Sequence, residues 1–209
     1  MKDSKAPQFF SHQQESSACG VGFVAVRGGE PDHHTLEQAL GALIRLEHRG
    51  GCGADRRSSD GAGVMTELPF ELFNETPGRF AVANLFLAQD PNRRGCALDI
   101  FERTFGFMGL SVKGYRDVPL NPSVLGDLAR ETLPVIRQAI IQRPGFCRTL
   151  DSFEKLLYTT RQMTCTKARE QDLANAIFFT SLSAKTMIYK ALTRSSELAG
   201  FYPDLNNPA

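Results

Sequence analysis

The sequence predicts an α+β chain, a mixed sheet packed with helices, on two observations. Short apolar runs at residues 80–87, 135–142, 176–182 and 186–191 have the length and composition of strands, and helical stretches lie between them. Apolar residues make up 42% of the 209 and charged residues 22%, enough apolar material for a substantial core.

The elements follow in order. Residues 1–17 are rich in Ser, Gln and Lys and poor in apolar side chains, a composition that predicts disorder. Val21-Gly22-Phe23-Val24-Ala25-Val26, closed by Arg27-Gly28-Gly29-Glu30-Pro31, reads as a buried strand ending in a turn. Thr35 is the candidate cap of a helix in which Leu36, Ala39, Leu40, Leu43, Ile44 and Leu46 recur at helical spacing, and Gly50 and Gly51 end it. A glycine-rich loop follows, and Val64-Met65-Thr66 begins the next strand.

Residues 80–87 form a strand and 92–108 a helix with Leu98, Ile100, Phe101 and Phe105 on its apolar side. Residues 112–118 form a weaker strand, 125–133 a short helix stopped by Pro134, and 135–142 a strand. Asp151 or Ser152 caps a helix of about five turns. Residues 176–182 and 186–191 read as a hairpin about Ser183-Ala184-Lys185. From Leu198 onward Gly, Pro and Asn dominate, so that stretch is assigned to loop, and a chain ending so is expected to be cut.

Charge and cysteine usage exclude several classes of function. The 24 basic and 23 acidic residues nearly cancel, without the basic stripe of a nucleic-acid binder. No run approaches the ~18 apolar residues of a membrane helix, and the first eighteen residues carry no apolar secretory core. Cysteines 19, 52, 96, 147 and 165 are odd in number and irregularly spaced, which fits a reducing, cytoplasmic setting better than a disulfide framework. His48 and Cys52 are two groups, not a zinc site, so no metal is expected.

Three clusters carry candidate chemistry. Cys19, in Ser16-Ser17-Ala18-Cys19-Gly20-Val21-Gly22, is either a small buried hydrophobe or an accessible thiol with room for substrate beside Gly20. Leu46-Glu47-His48-Arg49-Gly50-Gly51-Cys52 places basic groups at a helix C-terminus, where the helix dipole alone would favour them. Ser58-Ser59-Asp60-Gly61-Ala62-Gly63-Val64 is a glycine-rich lead into a strand, without the Gly-Lys-Ser/Thr ending of a phosphate-binding loop.

Taken together, ACGVGFVAV, LEHRGGCGAD and SSDGAGVMTELPFELF resemble the start of the glutamate synthase large-chain family. FAVANLFLAQD, GYRDVPLNPSVLG, FEKLLYTTRQ, FFTSLSAKTMIYKAL and FYPDL continue the resemblance in order over residues 16–206. Ser59 stands where the family usually has glycine, and Gly51 where it usually has alanine. The long segment from Pro69 to Ala191 separates this likeness from other N-terminal-nucleophile enzymes such as phosphoribosyl amidotransferases.

The resemblance implies a class II (Ntn) glutamine amidotransferase domain: an Ntn-hydrolase-like αββα sandwich, incomplete at its C-terminal end. It implies a propeptide-like tail over 1–18 and the N-terminal portion of the domain over 19–209, with Cys19 exposed as the nucleophile by cleavage after Ala18. A freed α-amino group, pKa ~8, would then act as base for a thiol of pKa ~8.5. Arg49 takes a supporting role by the same likeness, while Gly20, Gly50, Asp60, Gly61 and Gly63 shape the site.

L-glutamine is the implied substrate, and the rest of the synthase chain and a small reductase subunit are the implied partners. No cofactor is expected in this segment; FMN and an iron–sulfur cluster belong to later domains of the parent enzyme. The family's Asn-Gly oxyanion pair and its substrate-gripping arginine lie downstream of FYPDL, and this chain has no Asn-Gly dipeptide and no histidine after His48. The isolated chain is therefore expected to release little ammonia, each oxyanion donor being worth ~3–4 kcal/mol. The alternative from another class is a non-catalytic remnant that acts as a binding module.

Overall fold

A computed structural model describes residues 20–28, 32–49 and 59–207. The elements run α1 (His33–Arg45), β1 (Ala62–Glu67), α2 (Phe70–Phe73), β2 (Phe80–Leu87), α3 (Pro91–Phe107) and β3 (Ser111–Asp117). Then come α4 (Asp127–Glu131), β4 (Val135–Gln142), α5 (Leu150–Glu170), β5 (Ile177–Ser183), β6 (Thr186–Ala191) and α6 (Leu198–Phe201). Mixed helix and antiparallel sheet confirm the α+β class.

Strand β2 reads Phe-Ala-Val-Ala-Asn-Leu-Phe-Leu, and all but Phe86 are buried, so it needs cover on both faces. It is flanked by β4 and β5 in a sheet of order β3-β4-β2-β5, with Phe80 opposite Gln142 and Leu87 opposite Val135. Ala81, Ala83, Leu85 and Leu87 face one core with Ala139 and Ile141 of β4. Phe101 and Phe105 of α3, and Phe153 and Leu157 of α5, close that core.

Phe80, Val82 and Ile136 face the other way, into a second core with Val64 of β1 and Met187 and Tyr189 of β6. Strands β1 and β6 form their own antiparallel pair, Ala62 opposite Ala191 and Glu67 opposite Thr186. Leu36, Ala39, Leu40 and Leu43 of α1 pack against this second core. The helical spacing read from the sequence thus marks the half-buried, core-facing side of α1, apart from Ile44, which is 46% exposed.

Five expectations need correction. Residues 21–26 form no strand: Val21 is 91% and Phe23 93% exposed, and no strand among the described residues pairs with them. An apolar run becomes a strand only where a neighbour supplies its backbone partners and covers a face. The turn at Arg27-Gly28 is present, with Gly28 at φ +68°.

Asp32, not Thr35, caps α1: its Oδ1 accepts the Thr35 amide at 2.7 Å and the Thr35 hydroxyl at 2.8 Å. Likewise Thr149 caps α5 and Ser152 is the reciprocal partner three residues on, so neither Asp151 nor Ser152 is the cap.

Strands β5 and β6 are consecutive but belong to different sheets, so they are not a hairpin. Side chains bridge them instead: Ser181 Oγ accepts the Ile188 amide at 3.2 Å, and Asn84 Nδ2 of β2 donates to the Ile188 carbonyl at 2.7 Å.

Finally, the stretch from Leu198 is not loop. It forms α6 and a 3-10 turn, Pro203–Asn206, and buries Leu198, Phe201, Tyr202 and Leu205 in the second core. Asp204 fixes it there. Arg116 of β3 donates to both its carboxylate oxygens, at 2.7 and 2.8 Å, and Tyr189 Oη donates to it at 2.9 Å. The side chain of Asp204 is 5% exposed and that of Arg116 22%. The carboxylate holds the Arg116 guanidinium above its usual range, and burial beside the Asp204 charge raises the Tyr189 phenol, so both stay protonated.

Asp204→Ala leaves a guanidinium partly buried without its carboxylate, and removes the tie between the last turn and both sheets. It is expected to lower stability by about 3 kcal/mol, at the low end for a broken buried pair because Arg116 keeps some solvent. Urea unfolding followed by far-ultraviolet circular dichroism measures the loss.

Candidate functional site

Gly20 opens the described part of the chain, half-buried and outside any regular element. Cys19 and Gly50 lie outside the described residues, as does the tail over residues 1–17. The segment after Gly20 lies near the end of α1: a Cβ at Gly22 would stand 3.9 Å from Leu46 Cδ1. The chain then turns through a 3-10 segment, Glu47–Arg49, which places the backbone of Arg49 just past α1.

His48 Nδ1 donates to the Arg45 carbonyl at 2.8 Å, satisfying one of the helix's last acceptors. That is the structural role expected of a basic group at a helix C-terminus. Glu47 does something different. Its Oε1 accepts Arg194 Nε at 2.7 Å and its Oε2 accepts the Ser196 amide at 3.2 Å, across 147 and 149 residues of sequence.

The Arg194 hydrogen bond, assisted by Ser196, holds the Glu47 carboxyl below the usual carboxylate range despite partial burial. A carboxyl depressed on folding stabilises the fold above its unfolded pKa. Here that contribution is lost as pH falls through the lowered folded value.

The second glycine-rich cluster is held by the same segment. Ser59 Oγ donates to the Thr193 carbonyl at 2.6 Å and accepts the Gly61 amide at 3.3 Å. Gly61 has φ +110°, and a Cβ there would stand 3.0 Å from the Ala191 carbonyl oxygen. At Gly63 a Cβ would stand 2.9 Å from Lys190 Cβ and 3.0 Å from the Tyr189 oxygen. Both glycines let β1 lie close against β6, and Asp60, exposed in the bend, is carried by that contact.

Residues 191–196 therefore brace both clusters, Glu47–Arg49 on one side and Ser59–Gly63 on the other. Sequence reasoning missed Arg194 and its neighbours. Beside them lies a cavity of about 380 Å³ whose lining includes Ser123, Val124, Arg194 and Glu197. Among the described residues no three His, Cys, Asp or Glu side chains gather to hold a metal, and Cys96, Cys147 and Cys165 are free thiols. No described helix is long and apolar enough to cross a membrane.

Gly63→Ala is expected to push β1 off β6 and cost on the order of 1–3 kcal/mol. Gly95→Ala in α3 meets open space and should instead gain about 1 kcal/mol of helix propensity. Thermal unfolding of the two variants side by side gives the comparison.

Comparison with known proteins follows the same lines. The family model of the class-II glutamine amidotransferases matches residues 19–209. The chain is 42% identical over 205 residues to ferredoxin-dependent glutamate synthase 2 of Synechocystis sp., covering 93% of this chain and 13% of that protein. It is 39% identical over 203 residues to the chloroplastic ferredoxin-dependent glutamate synthase of Oryza sativa, covering 92% and 12%. It is 30% identical over 213 residues to the glutamate synthase [NADPH] large chain of Bacillus subtilis, covering 98% and 14%. The chain thus spans about an eighth of the length of these relatives. Matched to that family over residues 19–209, the chain belongs to the class-II glutamine amidotransferases.

Proposed function

We propose that this chain carries the nucleophile of a glutamine amidotransferase within a glutamate synthase large chain, releasing ammonia from L-glutamine for glutamate synthesis. The observation that carries the reading is where the family match begins: at Cys19, directly after the polar tail. On this reading residues 1–18 are a propeptide-like tail and 19–209 part of the amidotransferase domain.

Removal of the tail frees the α-amino group of Cys19. That amine takes the thiol proton, directly or through one water. The thiolate attacks the side-chain amide carbon of glutamine, and the C–N bond breaks. The proton passes to the departing nitrogen, which leaves as ammonia. Water then hydrolyses the glutamyl thioester, giving glutamate and restoring the thiol.

With the tail attached, the same nitrogen is an amide and cannot serve as base. Arg49 supports the nucleophile, and Gly20, Gly50, Asp60, Gly61 and Gly63 shape the site. The close approach of Gly61 and Gly63 to β6 fits that shaping role.

The finer fold assignment is an Ntn-type αββα sandwich. Helices α3 and α5 on one face of the larger sheet, and the β1–β6 pair against its other face, favour it. Ammonia would pass to later parts of the synthase chain, where FMN, an iron–sulfur cluster and, in some members, a small reductase subunit would serve. Free thiols fit a reducing compartment such as the cytoplasm.

Two measurements on the full protein that carries this chain test the reading. Intact mass should show a mature chain beginning at Cys19, and Cys19→Ala should lower ammonia release from glutamine by about 10³-fold or more. A protein that keeps Met1 and releases no ammonia from glutamine, with or without the Cys19 thiol, would overturn it in favour of a non-catalytic binding module.

A further inference from the structure

The contact between Glu47 and Arg194 has the form of a brace rather than of a surface ion pair. Both carboxylate oxygens of Glu47 are used, one on the Arg194 guanidinium and one on the Ser196 amide. The Glu47 side chain is 23% exposed, less than that of its partner at 41%. An ion pair this accessible adds little to global stability, so its value lies in what it holds in place.

What it holds is local and specific. Glu47 begins the 3-10 turn whose last residue is Arg49, so fixing its carboxylate fixes that turn. The grip comes from the end of β6 and the residues after it, where Ala191 meets Gly61 and Thr193 holds Ser59. One segment of six residues thus sets the chain on either side of the glycine-rich stretch between Arg49 and Ser59.

We propose that Glu47 and Arg194 are positioning residues of the amidotransferase site. Through the Glu47–Arg49 turn they set where the Arg49 backbone stands, without touching glutamine themselves. The inference rests on the reading of Cys19 as the nucleophile.

The test uses the full protein carrying this chain, with Glu47→Gln, Arg194→Gln, the exchanged pair Glu47→Arg/Arg194→Glu, and Cys19→Ala as reference. Ammonia release from glutamine gives kcat and KM. Hydrogen exchange reports the amides of residues 47–49 against those of β2 and β4.

Each single variant should lower kcat/KM by about tenfold or more, as expected when a site group is displaced by a fraction of an ångström. Exchange at residues 47–49 should accelerate by about tenfold while β2 and β4 keep wild-type protection. The exchanged pair should recover part of the lost kcat/KM. That rescue, with β2 and β4 unchanged, separates positioning from a general loss of structure.

Unchanged exchange at residues 47–49, or wild-type kcat/KM in both single variants while Cys19→Ala is inactive, overturns the proposal and leaves the nucleophile reading standing. Full activity in Cys19→Ala overturns the reading itself, and the proposal with it.

Discussion

Strand β2 must be covered on both faces, and most of the architecture answers that need. Phe80, Ala81, Val82, Ala83 and Leu85 are at most 2% exposed, so neither side of the larger sheet can face water. At roughly 25 cal/mol for each Å² of apolar surface removed from water, a strand of this composition dominates local energetics. Helices α3 and α5 cover one face. The β1–β6 pair, α1 and the C-terminal turn cover the other.

The second cover brings the candidate site into being. Strand β6 is held over β2 by the Asn84 amide at Ile188 and by the Arg116–Asp204–Tyr189 group behind it. With β6 fixed, residues 191–196 leave its end in a set direction and meet Glu47 and Ser59. The Glu47–Arg49 turn and the Ser59–Gly63 cluster are therefore placed from the core outward, through a short chain of polar contacts. The glycines of that cluster serve close packing: a side chain at Gly61 or Gly63 would collide with β6 backbone or Lys190.

The sequence showed the regular elements well where one segment decides its own fate. Residues 80–87 and 135–142 were read with the bounds that β2 and β4 have, because apolar strands between breakers are a local signal. The C-terminal turn was missed because its Gly, Pro and Asn content hides a helical signal. Leu198, Phe201, Tyr202 and Leu205 stand at i, i+3, i+4 and i+7, and counting them would have shown a buried face.

The caps were misplaced by three residues at α1 and by two or three at α5, since Ser, Thr and Asp crowd both helix starts. The apolar composition of residues 21–26 suggests a strand but carries no information about a partner. The bonds from Arg116 to Asp204 and from Glu47 to Arg194 join residues 88 and 147 apart, beyond any periodicity in the sequence. Cys19, Gly50 and the Arg49 side chain were named from motifs, and their geometry lies outside the described residues.

On the proposed reading, Cys19 forms a covalent bond to the substrate. Rapid acid quenching of the full protein turning over glutamine, followed by peptide mass analysis, tests it most directly. A glutamyl thioester is expected on the peptide that begins at Cys19, lost on mild alkaline treatment. Steady ammonia release with a glutamyl adduct on another residue, or with none on Cys19 at any quench time, would contradict it.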